Sequence, residues 1–589
     1  MAGAARSVCR RARRQVRRDL REDPYLLYVL CSAAVLAGFW FWHLAPNFAT
    51  RDERDRLLDV LVAYGTVVDD PSVASLQEGV TWGRTAFAGT FYLYAVVLLP
   101  VVAATLLLGR VDVLTGFVSP DDSFRYWQLW HDTPEWFWMA CIVLARLANV
   151  AFAVGAVYVT YRIGTTIRDR PTGRLAAVLL TVTFGFLVLA HEAGEDVPAL
   201  FFFLLAFYYT VQYTETGAPR RFLAGCLTGA LAIAFKLTAA PIVVVLVVGY
   251  ALRVHTTGNY RPALGHAKVL VAGGALGAVT IVLCFPSVLV SASFDPLVDR
   301  VLGESVGRTY SETGPDAPVW WWFLRGYVNG LGLPLFVGSV VGVLASVRSV
   351  GRRTTAAGVT LALVGLGSYL LLFSQWHDFR VHHLLPTFPL LAVVLASSLS
   401  RLRVRRPSVA RALVACLVLT SGAYAAVGTA GYASQPRDAA VTWLDANASP
   451  NATLGVSRND FQDTAIPHGM AVERFHDDDR AGVDVDPCPT YLQVTRRDLL
   501  NLREEFRFGY DPERASYLEN LVAGQYNYEL VEEFGPRPPA FVPQRPTPGS
   551  LSDLVPLGVV PRVDQYGDEQ ELGPNQYTAI LERTGACGL

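Results

Sequence analysis

The chain has 589 residues, 52% hydrophobic and only 17% charged, with a mean hydropathy of +0.32. Soluble domains carry about 25% charge. The composition therefore excludes an ordinary soluble protein and predicts a polytopic α-helical membrane protein. A formal net charge of −1 points to no partner of either sign. The eight cysteines include no CxxC or Cys/His spacing of a metal site.

Residues 1–24 form a basic N-terminus, with Arg6, Arg10, Arg11, Arg13, Arg14, Arg17, Arg18 and Arg21 ahead of the first apolar run. That run, 25–45, has no small-residue cleavage site behind it. It reads as a retained first helix with a cytoplasmic N-terminus. A polar stretch follows with Thr50-Arg51-Asp52-Glu53-Arg54-Asp55-Arg56, then an apolar run 86–109 broken by Pro100, then a second polar stretch with Asp121-Asp122 and His131. Further apolar segments lie near 136–161, 174–190, 197–213, 222–235, 238–252, 269–290, 319–346, 356–374, 384–400 and 409–430.

Arginine sorts the connecting loops. Arg162, Arg168, Arg170 and Arg174 mark one cytoplasmic loop. Arg220-Arg221, then Arg253, Arg261 and Lys268, then Arg348, Arg352 and Arg353, then Arg401, Arg403, Arg405 and Arg406 mark the others. The loops at 191–196, 236–240, 291–318 and 375–383 then lie outside, as does the tail from about 431. The alternation holds only if 86–109 does not cross once. An interfacial or re-entrant run, which Pro100 permits, makes 46–134 one large external loop and leaves about eleven spanning helices. A tight hairpin is the other way to restore parity. The tail, 431–589, is richer in Asp, Glu, Pro and Asn. Alternation at 491–494 and 577–581 predicts strands, and 437–447 and 498–507 read as helices, so a small external α/β domain is expected. Cys488 and Cys587 can pair if that domain is outside the cell.

The polar features that could carry chemistry are external. On a helix, Asp52, Asp55 and Asp59 share a face; this is either a salt-bridged interfacial helix or a site. His191-Glu192-Ala193-Gly194-Glu195-Asp196 puts three acids and a histidine at a membrane boundary, where they must face water, a cation or each other. Lys236, one of only two lysines in the chain, ends an apolar helix and suits an anionic headgroup or simply snorkels. In Gln375-Trp376-His377-Asp378-Phe379-Arg380-Val381-His382-His383, Arg380 can grip a phosphate and Trp376 can cover a sugar face. The spacing of His377, His382 and His383 is not a convincing metal set. Trp320-Trp321-Trp322 reads as an interfacial aromatic belt.

Four segments in order resemble the GT-C type of glycosyltransferases, in the branch of protein O-mannosyltransferases and bacterial aminoarabinose transferases. They are the acidic pair Asp52-Glu53 after the first helix, Gly194-Glu195-Asp196-Val197-Pro198-Ala199-Leu200-Phe201-Phe202 at a helix start, Phe235-Lys236-Leu237-Thr238 after a helix, and the Arg-x-x-x-Leu-Leu-Pro-x-x-Pro run from Arg380 to Pro389. The resemblance covers roughly residues 25–400. It implies a polyprenyl (dolichyl) phosphate-linked sugar as donor, a protein or lipid-linked glycan as acceptor, catalysis on the external face and a transmembrane domain over 25–430. It further implies Asp52 as general base with Glu53 beside it, Glu195 and Asp196 as positioning groups, and Arg380, with Lys236 and His382, around the leaving phosphate. No cofactor is expected, a divalent metal being left open. The first loop lacks the family's Pro-Pro-Leu run. The Trp triplet is followed by Phe323 rather than Asp, which disfavours en bloc transfer of an oligosaccharide. The competing reading is a non-enzymatic transporter or flippase of lipid-linked saccharides, which predicts ionisable residues deep in spanning helices. Arg146 is the clearest such residue.

Overall fold

The computed structural model describes residues 2–586 except 83–87, 119, 121–125, 258–262, 292, 305–315, 351–355, 377–379, 434–435, 457–463, 475–487, 504–511 and 562–576. Asp121, Asp122, Arg261, Arg352, Arg353, His377, Asp378 and Cys587 fall outside the described residues.

The first helices are α1 (Ala2–Glu22), α2 (Tyr25–Ala37), α3 (Arg51–Asp69), α4 (Val73–Trp82), α5 (Ala88–Leu107), α6 (Val111–Thr115), α7 (Trp127–Asp132) and α8 (Glu135–Ile167). Next come α9 (Arg170–Thr181), α10 (Phe184–Ala190), α11 (Asp196–Thr216), α12 (Pro219–Phe235), α13 (Ile242–Thr257), α14 (Ala263–Cys284), α15 (Pro286–Ser291) and α16 (Asp295–Val298). The membrane half ends with α17 (Val319–Leu331), α18 (Leu333–Val347), α19 (Ala357–Phe373), α20 (Val381–Leu384), α21 (Thr387–Arg405) and α22 (Pro407–Ala433). Among the described residues seven helices are long and apolar enough to cross a membrane, or nine if each of two bent pairs is one span. The pairs are α9 with α10, bent by 65°, and α17 with α18, bent by 116°. Each segment expected to span contains a helix or a bent pair, but α2 has only 13 residues and α12 and α19 17 each. The sharper bend turns on Gly332 at φ 72° and ψ 153°. A Cβ there would meet the Tyr424 ring at 3.1 Å, so both the backbone and the packing call for glycine.

The bundle has two chemically distinct ends. One gathers the arginines: Arg162 pairs with Asp19, Arg170 with Glu22, Arg174 with Asp23 and Arg403 with Asp169. Asp169 also caps α9 by accepting from the Thr172 amide. The other end holds the acidic segments and the tail.

The apolar helix α5 passes a length test for a span, yet both of its ends lie at the acidic end. Near its start, a Cβ on Gly89 would touch the Phe235 ring, and Tyr92 Oη and Tyr94 Oη donate to the carbonyls of Leu283 and Gly194. Beyond its other end, Leu114 and Phe117 crowd Gly65 of α3, and Phe117 packs on Phe137 and Trp138 at the start of α8. The helix thus packs alongside α3 and the start of α8.

The tail adds α23 (Pro436–Asn447), β1 (Thr453–Val456), β2 (Ala471–Arg474), β3 (Tyr491–Thr495), α24 (Arg496–Leu499), α25 (Pro512–Val522), β4 (Tyr528–Phe534) and β5 (Thr578–Arg583). The sheet order is β2-β1-β3-β5-β4. β1 is parallel to β2 and β3, whereas β5 is antiparallel to β3 and β4, with Leu492 opposite Leu581. Of the expected helix over 498–507, the described part holds the end of α24 and a 3₁₀ turn at Leu500–Leu502; residues 504–507 lie outside the described residues. Cys488 is disulfide-bonded. The tail shares a core with the first loop: Leu444, Leu454, Tyr491 and Ile580 belong to one buried cluster with Phe48, Leu57, Leu61, Trp130 and Trp138. The change of composition at 431 is therefore not a gap in packing.

Candidate active site

Helix α3 opens on Thr50, an extended N-cap whose hydroxyl accepts from the Glu53 amide at 3.1 Å. A Thr-x-x-Glu pattern usually sends the glutamate back to the cap amide. Here the Glu53 carboxylate reaches one residue further, to the Ala49 amide at 2.8 Å. It also accepts from Arg146 through two 2.7 Å bonds and from the Ala193 amide at 2.9 Å. Both side chains of the Glu53–Arg146 pair are fully buried. The other Arg146 nitrogen donates to the carbonyls of Phe41 (3.0 Å) and His43. This one pair ties α3, α8, the turn before α3 and the loop after α10 together. With four donors on two oxygens, Glu53 is a brace. Its neighbour Asp52, one residue earlier and partly exposed, lies in the first turn of α3, where the helix dipole favours negative charge.

A second chain of charges lies beside it. Arg56, one turn into α3, donates to Glu195 at 3.2 Å. Lys236, at the C-terminal end of α12, donates to Asp196 at 2.7 Å and lies 3.5 Å from Glu195. Burial works against the charges of Arg56 and Lys236. The carboxylates of Glu195 and Asp52 on the first, and of Asp196, Glu195 and Asp52 on the second, outweigh it and hold both cationic. Asp52 thus lies within electrostatic reach of α3, α11 and α12 at once.

Glu192 behaves differently. Burial, reinforced by the carboxylates of Glu53, Asp52 and Asp196, pushes its carboxyl well above the ordinary range. It is only 6% exposed, and its Oε2 has no hydrogen-bond partner among the described residues. Its backbone carbonyl is held by Asn149 Nδ2. His191 beside it is buried against the Leu187 carbonyl, and burial lowers it to about 4.

The late motif forms a separate cluster. The Arg380 amide donates to His383 Nδ1 at 2.9 Å, and His382 Nε2 lies 3.2 Å from His383 Nε2. Because His383 Nδ1 accepts, the neutral ring carries its proton on Nε2 and donates to His382, whose own proton is then on Nδ1. Trp376 and Phe373 wall His383. Helix α20 packs on α10, whose last residue precedes His191.

The structure accordingly brings Asp52, Glu53, Glu195, Asp196 and Lys236 together from three separated segments, and places Arg380 and His382 on an element next to α10. Sequence reasoning did not pair Arg146 with Glu53 or Arg56 with Glu195. One signal was available for the first: an arginine inside an apolar helix needs a carboxylate or carbonyls. Among the described residues, no group of three His, Cys, Asp or Glu side chains has metal-holding geometry.

A family model described as dolichyl-phosphate-mannose-protein mannosyltransferase matches residues 139–288, the stretch carrying Arg146, Glu192, Glu195, Asp196 and Lys236. Among solved structures, the oligosaccharyltransferase of Archaeoglobus fulgidus in its apo form aligns with a TM-score of 0.50 and 11% identity, over 96% of this chain and 89% of its own. ArnT from Cupriavidus metallidurans bound to undecaprenyl phosphate aligns with a TM-score of 0.47 and 14% identity, over 77% of this chain and 86% of its own. The complex of A. fulgidus AglB with an inhibitory peptide and a dolichol-phosphate aligns at 0.46 and 11%, over 96% and 89%. No curated protein matches the sequence. The fold is that of the GT-C proteins. The family match over 139–288 falls in the membrane half of that fold.

Proposed function

We propose that the protein transfers a sugar from a polyprenyl-phosphate donor to a hydroxyl of a protein or lipid-linked glycan, with inversion, at the external face. The N-terminus is then cytoplasmic and the tail domain external. The observation that carries this reading is the position of Asp52, a partly exposed carboxylate framed by two chains of buried ion pairs that draw on α3, α8, α11 and α12. The family match over 139–288 and the undecaprenyl phosphate and dolichol-phosphate bound by the structural neighbours support the donor class.

In this mechanism the Asp52 carboxylate takes the proton of the acceptor hydroxyl as its oxygen attacks C1 of the sugar. The bond from C1 to the phosphate oxygen breaks, its electron pair leaves with the polyprenyl phosphate, and C1 inverts. Arg380 meets the charge developing on that phosphate, with His382 beside it. Lys236, which donates to Asp196 and lies 3.5 Å from Glu195, adds positive charge near the phosphate. Glu195 and Asp196 orient Arg56 and Lys236, and Glu53 holds the turn that presents Asp52. Because these acids already face arginine and lysine, chelation by EDTA is expected to leave turnover unchanged.

The test is Asp52→Asn in the purified full chain, supplied with polyprenyl-phosphate sugars and glycan or peptide acceptors. The expected result is a loss of kcat of roughly 10²- to 10⁴-fold with the fold intact. Full turnover by the variant would overturn the assignment of Asp52. Lipid movement across vesicles without any sugar transfer by the wild type would favour the flippase.

A further inference from the structure

The turn between α2 and α3 is the most constrained backbone near the site. Trp40 at φ 56° and Leu44 at φ 61° both lie in the left-handed region without being glycine. Such residues persist only where their surroundings over-determine them, and they gather at functional sites. Three groups from elsewhere in the chain hold this turn. Arg146 takes the carbonyls of Phe41 and His43. Trp130 Nε1 donates to the Pro46 carbonyl at 3.2 Å. The Leu44 amide, on one of the two strained residues, donates to Asp438 Oδ1 at 3.2 Å across a separation of 394 residues.

Asp438 lies in the first turn of α23, the first element of the tail. Its neighbour Arg437 is 2% exposed. A few residues beyond Leu44 the chain reaches Ala49 and Thr50, the two residues that Glu53 and the helix cap fix, and then Asp52. We propose that Asp438 is a positioning residue: the soluble tail fastens the strained turn through the Leu44 amide and so sets the direction of Asp52. The catalytic consequence rests on the assignment of Asp52 above; the latch itself does not.

The latch is separable from docking of the tail as a whole. The tail also stands on the shared core around Phe48 and Leu454. In addition, His468 Nε2 lies 3.0 Å from the carbonyls of both Trp130 and Thr133. Loss of one acceptor at 438 therefore leaves the domain in place.

The test compares Asp438→Ala and Asp438→Asn with the wild type as purified full chains. Asparagine keeps an Oδ1 acceptor for the Leu44 amide; alanine does not. Hydrogen exchange over residues 40–50 is expected to accelerate in Asp438→Ala and to stay near wild type in Asp438→Asn. With a polyprenyl-phosphate sugar as donor, kcat is expected to fall roughly 10- to 100-fold in the alanine variant, a size that follows from slight misplacement of a base. The donor KM should stay within about twofold, since binding is untouched, and asparagine should restore most of kcat. Unchanged exchange in Asp438→Ala, an unchanged kcat, or failure of asparagine to rescue either one overturns the proposal. Should the alanine variant unfold, the asparagine variant decides: loss of protection at Leu44 there sinks the latch. A fully active Asp52→Asn removes the catalytic reading instead, and the exchange measurement still decides the latch on its own.

Discussion

At the arginine-rich end of the bundle, Arg170 and Glu22 pair with side chains 46% and 34% exposed, and Arg403 and Asp169 with 44% and 39%. At the acidic end, Arg146 and Glu53 pair with both at 0%, and Lys236 and Asp196 with 9% and 12%. The residue types are nearly the same, and the physics differs. Exposed pairs contribute little to stability. Buried pairs offset a large desolvation penalty only while complete, so each partner becomes indispensable to the other. The contrast teaches that the acidic end holds charge away from water for a purpose other than stability, because an apolar pair would hold the helices as well.

Breaking the deepest pair tests that contrast most severely. Arg146→Met leaves Glu53 buried and unpaired and is expected to cost about 3–5 kcal/mol, read by unfolding in detergent. A loss below about 1 kcal/mol, the scale of an exposed pair, would erase the distinction between the two ends. The adjacent carboxylates sharpen it further. Glu53→Gln should lower the unfolding midpoint because one face of the Arg146 fork loses its charge, whereas Asp52→Asn should leave the midpoint alone and remove turnover. Equal thermal shifts in the two would contradict a brace beside a base.

Glu192 provides a pH-dependent test. Its folded carboxyl titrates above the unfolded one. Below the ordinary carboxyl range both states hold the proton and no difference exists. Above that range the unfolded chain releases a proton that the folded chain keeps, so the wild type loses stability as pH rises. Glu192→Gln removes this loss: its melting temperature should exceed the wild type's at pH 8 and match it at pH 4. A constant offset at both would show that Glu192 is not held neutral. The smallest effect belongs to the other end of the bundle, where Arg170→Ala is expected to change stability by less than about 1 kcal/mol.

Much of the fold was legible in the sequence because a lipid environment imposes simple rules. Apolar length located every helix of the bundle, and arginine sorted its ends. Length alone does not show that α5 packs on α3 and the start of α8 in one buried cluster. In the tail, alternation found β3 and β5 and missed β1, β2 and β4: four residues carry too little pattern in the first two, and β4 is an edge strand with a register shift at Leu530/Glu532. At the site, composition and motif order gathered Asp52, Glu195, Asp196 and Lys236. The division of labour between Asp52 and Glu53 was not legible, because it depends on Arg146, 93 residues away, and on the amide of Ala193. Nor could sequence show that the tail touches the turn before α3, since no local pattern links Leu44 to Asp438.

The brace at Glu53 also bears on how the protein is made. Glu53 leaves the ribosome 93 residues before Arg146 and 140 before Ala193, while Leu44 precedes Asp438 by 394. The first loop must therefore wait, its glutamate without its arginine, until α8 brings Arg146 and the residues after α10 bring the Ala193 amide. The turn receives its last tie only after α22 has been inserted. During synthesis the working site is assembled last, out of its earliest-made residues, and a chain released before residue 438 lacks that final tie.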